Sequence, residues 1–218
     1  MPEILNETEA RIVGSLVEKQ LTTPEYYPLT LNALVNACNQ KNNRDPVVSL
    51  DETTVTNALE ILRDRNLVYV FYGSTSRVPK YKHMLPSLYE LEPSEVAIIA
   101  VMLLRGPQTL GELRTRTERL YDFSGLGEVQ ETLDGLARRD EPLVVKLERL
   151  PGQKEARFAH LLSGEIDVEA FAAAQATPQK LGGIDSERIE KLENEVASLR
   201  DEVDTIKQTF EDFKRQFE

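Results

Sequence analysis

Hydrophobic residues in the first part of the chain recur at the spacing of amphipathic helices, and polar residues mark where those helices begin. Asn6 opens a capping-box pattern ahead of the first helix. Thr30 and Asp51 stand in N-cap position before two further apolar repeats. A β-branched and aromatic strand over 67–72 precedes a turn and a return strand over 81–85. Three helices followed by a hairpin is the element order of a winged helix.

The same order of elements returns in the second part of the chain. Pro93 suits the first turn of a helix that Gly106 ends. Thr109 opens another capping box, and a third helical repeat and two strands follow. The order of elements is repeated although few residues are identical. We therefore predict two winged-helix domains, at 1–85 and 86–162.

The first helix of the second domain is unusual because its apolar residues surround it. Between Val96 and Leu104 they occupy every side of the helix. A helix of this kind is normally covered on more than one side. We expect it to pack against its own domain and also against the first domain or a partner subunit.

A different periodicity begins after a linker predicted at 163–183. Over 184–218, apolar residues alternate in steps of three and four, which is the heptad seam of a coiled coil. The seam consists of Ile189, Leu192, Val196, Leu199, Val203, Ile206, Phe210, Phe213 and Phe217. β-Branched residues at a, leucine at d and attractive g–e charge pairs favour a parallel homodimer. A single amphipathic helix folded back on the body is the open alternative, and the terminal phenylalanines could close or splay the coil.

These patterns predict a mainly α-helical chain with small β-hairpins, of the α+β class. Its 40% hydrophobic and 29% charged residues are typical of a folded protein. The N-terminus lacks a basic region followed by an apolar run, and Cys38 is the single cysteine of the sequence. Both features indicate a cytoplasmic protein with no membrane partner.

The net charge of −11 is distributed unevenly along the sequence. Residues 1–85 carry 9 Lys and Arg against 10 Asp and Glu, whereas residues 166–218 carry 7 against 13. An acidic chain is at a disadvantage as a DNA-binding protein because duplex DNA is a polyanion. Only the first domain is close enough to neutral for a local basic face to operate.

The residue types needed for metal binding or catalysis are scarce. One cysteine and two histidines, His83 and His160, are too few for a zinc site, so no metal and no cofactor are expected. Cys38 lies on the apolar face of its predicted helix and is interpreted as a buried small hydrophobe. No phosphate-binding glycine loop or nucleophile elbow is present in the sequence. We expect a protein that is not an enzyme.

Candidate contact residues lie on the third helix of the first domain and around it. They are Lys41, Asn43, Arg44, Thr53, Thr56, Asn57, Arg63, Arg77, Lys80 and Lys82. Asn57 and the threonines could read base edges, and the basic residues could hold phosphates. Glu52 and Glu60 oppose this interpretation, and an ordinary solvated helix face is the alternative. The matching helix of the second domain is acidic and should repel DNA.

Three segments resemble the bacterial YceH family, a group without an assigned activity. They read TTPEYYPLTLNAL at 22–34, ACNQKNNRDP at 37–46 and GSTSRVPKYKH at 73–83. The resemblance implies a tandem winged-helix fold, in agreement with the periodicity, and implies no activity.

Two functions remain open from the sequence. The first is a DNA-binding transcriptional regulator, in which the third helix of the first domain enters the major groove. The second is a scaffold that uses its winged helices to dock proteins without touching DNA. In outline the chain is similar to the ScpB component of bacterial condensin, and its acidic charge and coiled coil fit that second function.

Overall fold

The computed structural model describes residues 4–72, 78–149 and 155–164 of the 218-residue chain. These residues belong to one compact unit, Met1–Val168. Over the described ranges the fold has seven α-helices and two three-stranded antiparallel sheets. The predicted α+β class, mainly helical with small hairpins, is confirmed.

The first repeat runs from the first helix to the third strand. Its elements are α1 (Glu7–Thr22), a 3-10 turn (Pro24–Tyr26), β1 (Leu29–Thr30), α2 (Leu31–Cys38), α3 (Glu52–Asp64), β2 (Val68–Phe71) and β3 (Lys80–His83). The strands lie in the order β1-β3-β2, so β2 is at an edge of the sheet. This is the order of elements that the sequence pattern predicted for a winged helix.

The second repeat follows a short connecting helix, α4 (Leu85–Tyr89), and has the same connectivity. Its elements are α5 (Pro93–Arg105), β4 (Gln108–Thr109), α6 (Leu110–Thr117), α7 (Leu126–Ala137), β5 (Val144–Leu147) and β6 (Arg157–His160). Its sheet has the order β4-β6-β5, which corresponds strand by strand to the first sheet.

The helix starts are the features that the sequence predicted most closely. The side chain of Asn6 accepts a hydrogen bond from the backbone of Glu9 (2.9 Å), and the Glu9 carboxylate accepts one from the backbone of Asn6 (3.0 Å). Thr109 and Glu112 form the same reciprocal pair in the second repeat. Asp51 caps α3. Each cap satisfies amide groups that the first turn of a helix leaves without partners.

Three elements differ from the prediction. Strands β1 and β4 each contain two residues, too few for an alternating pattern, and both add a third strand to a predicted hairpin. The predicted return strand over 81–85 ends at His83, because Leu85 begins α4 with Pro86 in its first turn.

The two repeats share a core formed where α5 packs against α1. Ile98, Ile99 and Met102 of α5 are fully buried. Gly14 lies on the contacting face of α1, where a Cβ would come within 2.9 Å of Leu104 Cγ. The expectation that the apolar helix also packs on the first domain is confirmed by this contact. The heptad seam predicted over 184–218, and most of the linker before it, lie outside the described residues.

Candidate nucleic-acid and partner interface

Helix α3 has one buried face and one polar exposed face. The buried face of α3 consists of Val55, Ala58, Leu59 and Leu62. On the opposite side the first two turns expose Thr53 and Asn57, and Thr56 is half-buried between them. Thr56 Oγ1 donates to the carbonyl of Glu52 (2.8 Å), so its hydroxyl is already partly engaged. The N-terminal half of α3 therefore presents short neutral hydrogen-bonding side chains.

The start of α3 is capped by an acidic side chain. Asp51 accepts a hydrogen bond from the backbone of Thr54 (2.7 Å), which holds the pKa of the Asp51 carboxyl below its usual value. Exposed carboxylates lie at both ends of α3, with Asp51 and Glu52 at its start and Glu60 and Asp64 in its C-terminal half. Arg63 pairs with Asp64 there at 3.3 Å, and both side chains are largely exposed. The charges of α3 therefore favour a polyanion at neither end, and what the N-terminal half offers is its neutral hydrogen-bonding side chains.

The outer face of the first sheet combines aromatic and basic side chains. Tyr69 lies directly opposite Lys82, and Phe71 lies directly opposite Lys80. The neighbouring residues on both strands point to the other face, where His83 is buried. Tyr69 is 58% exposed and Phe71 is 46% exposed. Lys82 is exposed and Lys80 is half-buried.

Arg44 departs from the sequence prediction, because it is a buried side chain instead of a surface contact. It is 5% exposed and makes a two-point contact with Glu18 of α1, at 3.1 and 2.7 Å. It also donates to the carbonyl of Ala37 (2.8 Å) and to the side chain of Gln40 (3.2 Å). The side chain is therefore committed to holding the loop between α2 and α3.

The same loop is attached to the second repeat. The backbone N–H of Asp45 donates to the carbonyl of Leu104 (3.0 Å), and Arg105 donates to the side chain of Asn43. Arg11 of α1 donates to the carbonyls of Cys38 (3.2 Å) and Pro46 (2.6 Å). The polar segment expected to form a contact surface thus joins the repeats. Lys41 remains exposed at its tip.

The contact residues predicted from the sequence therefore lie in separate parts of the structure. The structure brings Lys80 and Lys82 together on β3 and Thr53, Thr56, Asn57 and Arg63 together on α3. Asn43 and Arg44 belong to the loop that joins the repeats. Arg77 lies outside the described residues. Tyr69 and Phe71 were missed, because the alternation of residues in their strand indicates two faces but not which of them is exposed.

Helix α7 occupies in the second repeat the place that α3 occupies in the first. Glu128 accepts hydrogen bonds from the backbone of Ser124 (2.8 Å) and from Tyr121 (3.0 Å), which lower the pKa of its carboxyl. Asp134 pairs with Arg138 at 3.2 Å, and Glu131 is exposed. The acidic character expected of this helix is thus present on its accessible side.

A groove of about 660 Å³ lies beside α7 and the edge strand β5. Leu110, Leu126, Leu147 and Phe158 line it. Leu126 is 49% exposed, so the groove is open to solvent. Charged side chains of both signs, including Lys146 and Glu148, also line it. This arrangement offers apolar contacts to a protein ligand more readily than phosphate contacts to a nucleic acid.

Cys38 and His83, two of the side chains considered for catalysis or metal binding, are buried, whereas His160 is half-buried. Cys38 is fully buried, and burial raises the pKa of its thiol to about 11. His83 is buried, and its burial together with the nearby Lys82 lowers its imidazole pKa to about 4. Among the described residues no group of three or more metal-ligating side chains comes together. Within those ranges, no helix is both long and apolar enough to cross a membrane.

The fold and this surface define an α+β protein made of two consecutive units with the same α–β–α–α–β–β order. Residues 5–153 match the model of a family described as "Protein of unknown function, DUF480". A UPF0502 protein of Pelobacter propionicus is 52% identical over 222 residues and covers 100% of both chains. A UPF0502 protein of Geobacter sulfurreducens is 50% identical over 223 residues with the same coverage. The chain belongs to this DUF480 family of uncharacterised proteins.

Proposed function

We propose that the protein is a cytoplasmic, non-enzymatic regulator whose first repeat binds duplex DNA through α3. The observation that carries the proposal is the outward position of Thr53, Thr56 and Asn57 on the first two turns of that helix. In helix-turn-helix proteins the N-terminal residues of the recognition helix contact base edges. Asn is suited to adenine, and threonine offers a hydroxyl and a methyl group to bases.

Exposed lysines on both sides of α3 support the proposal. Lys41 lies in the loop before the helix, and Lys82 lies on the strand that follows the predicted turn of the hairpin. Neither forms a salt bridge within the described residues, so both are available to phosphates. Phosphate contacts of this kind fix orientation, whereas base contacts supply specificity.

The predicted coiled coil extends the proposal to a parallel homodimer. Two copies of α3 held by one dimerisation element would contact two half-sites in the DNA. The seam from Ile189 to Phe217 motivates this part of the proposal. The resemblance to the YceH family is consistent with the tandem winged-helix arrangement and adds no activity.

A protein scaffold is the second candidate, and the groove in the second repeat favours it. Leu126 and Phe158 give the groove an apolar lining, and the acidic residues of α7 lie beside it. In this function the winged helices would dock proteins, and the DNA affinity of the chain would be negligible.

Selection of duplexes from a randomised pool, followed by fluorescence anisotropy, separates the two candidates. Full-length protein should enrich a two-part site and bind it with a steep loss of affinity between roughly 50 and 200 mM salt. The double variant Thr53→Ala/Asn57→Ala should lose about tenfold or more of its affinity for the selected site, because base-edge contacts are removed.

The matched control is Gln130→Ala/Glu131→Ala, which alters the equivalent turns of α7 and should leave DNA affinity unchanged. Failure to enrich any duplex, with no binding at low salt, would contradict the regulator proposal. The scaffold candidate would then take its place.

A further inference from the structure

A second surface of the first repeat, distinct from α3, has its own recognition chemistry. Tyr69 and Phe71 of β2 alternate in register with Lys82 and Lys80 of β3 on the outer face of the sheet. Directly opposite residues in an antiparallel pair have Cβ atoms about 5 Å apart. Each ring thus has a lysine beside it, and the two rings lie about 7 Å apart along the strand.

A ring that serves packing in the second sheet gives a contrast, although its pair corresponds to Val70 and Tyr81 on the other face of the first sheet. There Lys146 lies directly opposite Phe158, and its Nζ sits 5.8 Å from the ring centroid. Phe158 is only 6% exposed. Tyr69 and Phe71 remain about half exposed, and among the described residues no lysine or arginine covers either ring. Their faces are therefore open to a ligand.

The charge around this face is unusual for so acidic a protein. The 25 residues from Arg65 to Tyr89 contain no Asp or Glu, the longest such run in a chain with 37 acidic residues. Lys80 and Lys82 therefore have no acidic neighbour on β2 or β3. Neither lysine forms a salt bridge within the described ranges. The face is complementary to an anion that also carries flat rings.

We propose that the outer face of β2 and β3 binds single-stranded nucleic acid. Successive bases stack on Tyr69 and Phe71, while Lys80 and Lys82 contact the phosphates between them. Aromatic platforms beside positive charge bind single strands with little sequence preference, because every base has a stacking face. A duplex does not offer this, since its bases are stacked on one another. The inference goes beyond the proposed duplex contact, because it does not require α3.

The test is fluorescence anisotropy of full-length protein with labelled oligothymidine and oligouridine of about 12 nucleotides. Wild-type protein is expected to bind at least one of them, and the tighter one identifies DNA or RNA. Tyr69→Ser/Phe71→Ser should weaken binding about tenfold or more through the loss of stacking. Tyr69→Phe/Phe71→Tyr keeps both rings and should bind like wild type. Tyr26→Ser removes a ring that is 72% exposed elsewhere and is the matched control.

The contribution of Lys80 and Lys82 is measured separately, from the salt dependence of binding. Lys80→Gln/Lys82→Gln should reduce the slope of log affinity against log salt by about 1.4, since each phosphate contact to a single strand contributes about 0.7. Lys146→Gln, an exposed lysine of the second sheet, should leave the slope unchanged.

Two results would overturn the inference: no salt-dependent binding of either oligomer, or equal affinity for the ring-less variant and wild type. The Thr53→Ala/Asn57→Ala variant separates this inference from the duplex proposal. It should keep its single-strand affinity even where duplex affinity is lost. Parallel loss of both affinities in that variant would also overturn the inference, because one surface would then serve both ligands.

Discussion

The two repeats have the same connectivity, yet their exposed surfaces have different chemistry. In the first, α3 exposes Thr53 and Asn57, and the sheet exposes Tyr69 and Lys82. In the second, α7 exposes Glu131, and an open apolar groove borders the edge strand β5. The fold sets where a ligand could lie, whereas a few outward residues decide which ligand it is.

The loops between the second and third helices of each repeat differ as much as the surfaces do. In the first repeat the buried Arg11 donates to the carbonyl of Pro46 in the loop, and the buried Arg44 of the loop donates to the carbonyl of Ala37 in α2. In the second repeat Phe123 is buried at the corresponding place. One loop is thus organised by charge-assisted hydrogen bonds, and the other by apolar packing.

The largest expected effect is on stability, from breaking the buried ion pair of the first repeat. Arg44→Ala leaves the buried Glu18 carboxylate with only the longer contact to Lys19, at 3.8 Å, and we expect the free energy of unfolding to fall by about 3–5 kcal/mol. Urea denaturation measures this change. Arg114→Ala removes an exposed arginine of the second repeat and should change stability by less than about 0.5 kcal/mol. Similar losses in both variants would contradict the structural role of Arg44.

The next largest effect concerns two histidines at equivalent positions of the two sheets. His83 lies opposite Val68, and His160 lies opposite Val144. Burial lowers the imidazole pKa of each to about 4, and Lys82 adds to the shift at His83. The unfolded chain therefore binds protons below about pH 6.5 that the folded chain does not bind until about pH 4. Stability should fall on acidification through that window.

His83→Phe keeps a ring beside Tyr27 and removes the titrating group. Urea unfolding at about pH 7 and about pH 5 should show a smaller pH-dependent loss than in wild type, by about 1–2 kcal/mol. His160→Phe should act in the same direction. An unchanged pH dependence in both variants would show that the histidines are accessible to protons in the folded protein.

An effect of similar size is expected at the contact between the repeats. Gly14→Ala places a Cβ 2.9 Å from Leu104 Cγ and 3.0 Å from Leu103 Cβ, so α1 and α5 must shift apart. We expect a loss of about 1–3 kcal/mol, measured by thermal unfolding. Gly111→Ala in α6 meets open space and should be neutral or slightly stabilising. A neutral Gly14→Ala would argue against close packing of the repeats.

The smallest expected effect is a gain of DNA affinity when the surface of the second repeat is made less acidic. Glu131→Arg replaces an exposed acidic residue of α7 with a basic one. Non-specific duplex affinity should rise severalfold at low salt and lose that gain at about 200 mM salt, because the added contact is electrostatic. An unchanged affinity would mean that α7 is kept from DNA by its position instead of its charge.

Most of the fold could be predicted from the sequence, because the local signals are strong. The Asn6 and Thr109 capping boxes and the apolar periodicity of each helix lie close together in the chain. The two-residue strands β1 and β4 could not be predicted, since they exist only through pairing with distant strands. Helix α4 was missed because its five residues carry no periodicity.

The candidate site was predicted less completely. Asn57 and Lys82 are exposed as a helical or alternating pattern implies. Arg44 was misassigned, because a polar loop normally lies on the surface and its partner Glu18 is 26 residues away. Tyr69 and Phe71 were interpreted only as strand residues. Which face of a strand is covered depends on packing between distant elements, and the sequence of one strand does not contain it.

The central claim is that nucleic acid is bound by the first repeat and not by the second. Its most direct test is hydrogen–deuterium exchange of the full-length protein with and without a selected duplex. We expect slower amide exchange in peptides covering α3, and no change in peptides covering α7 and β5. Protection of α7 or β5 with α3 unchanged would contradict it, and would reassign DNA contact to the second repeat.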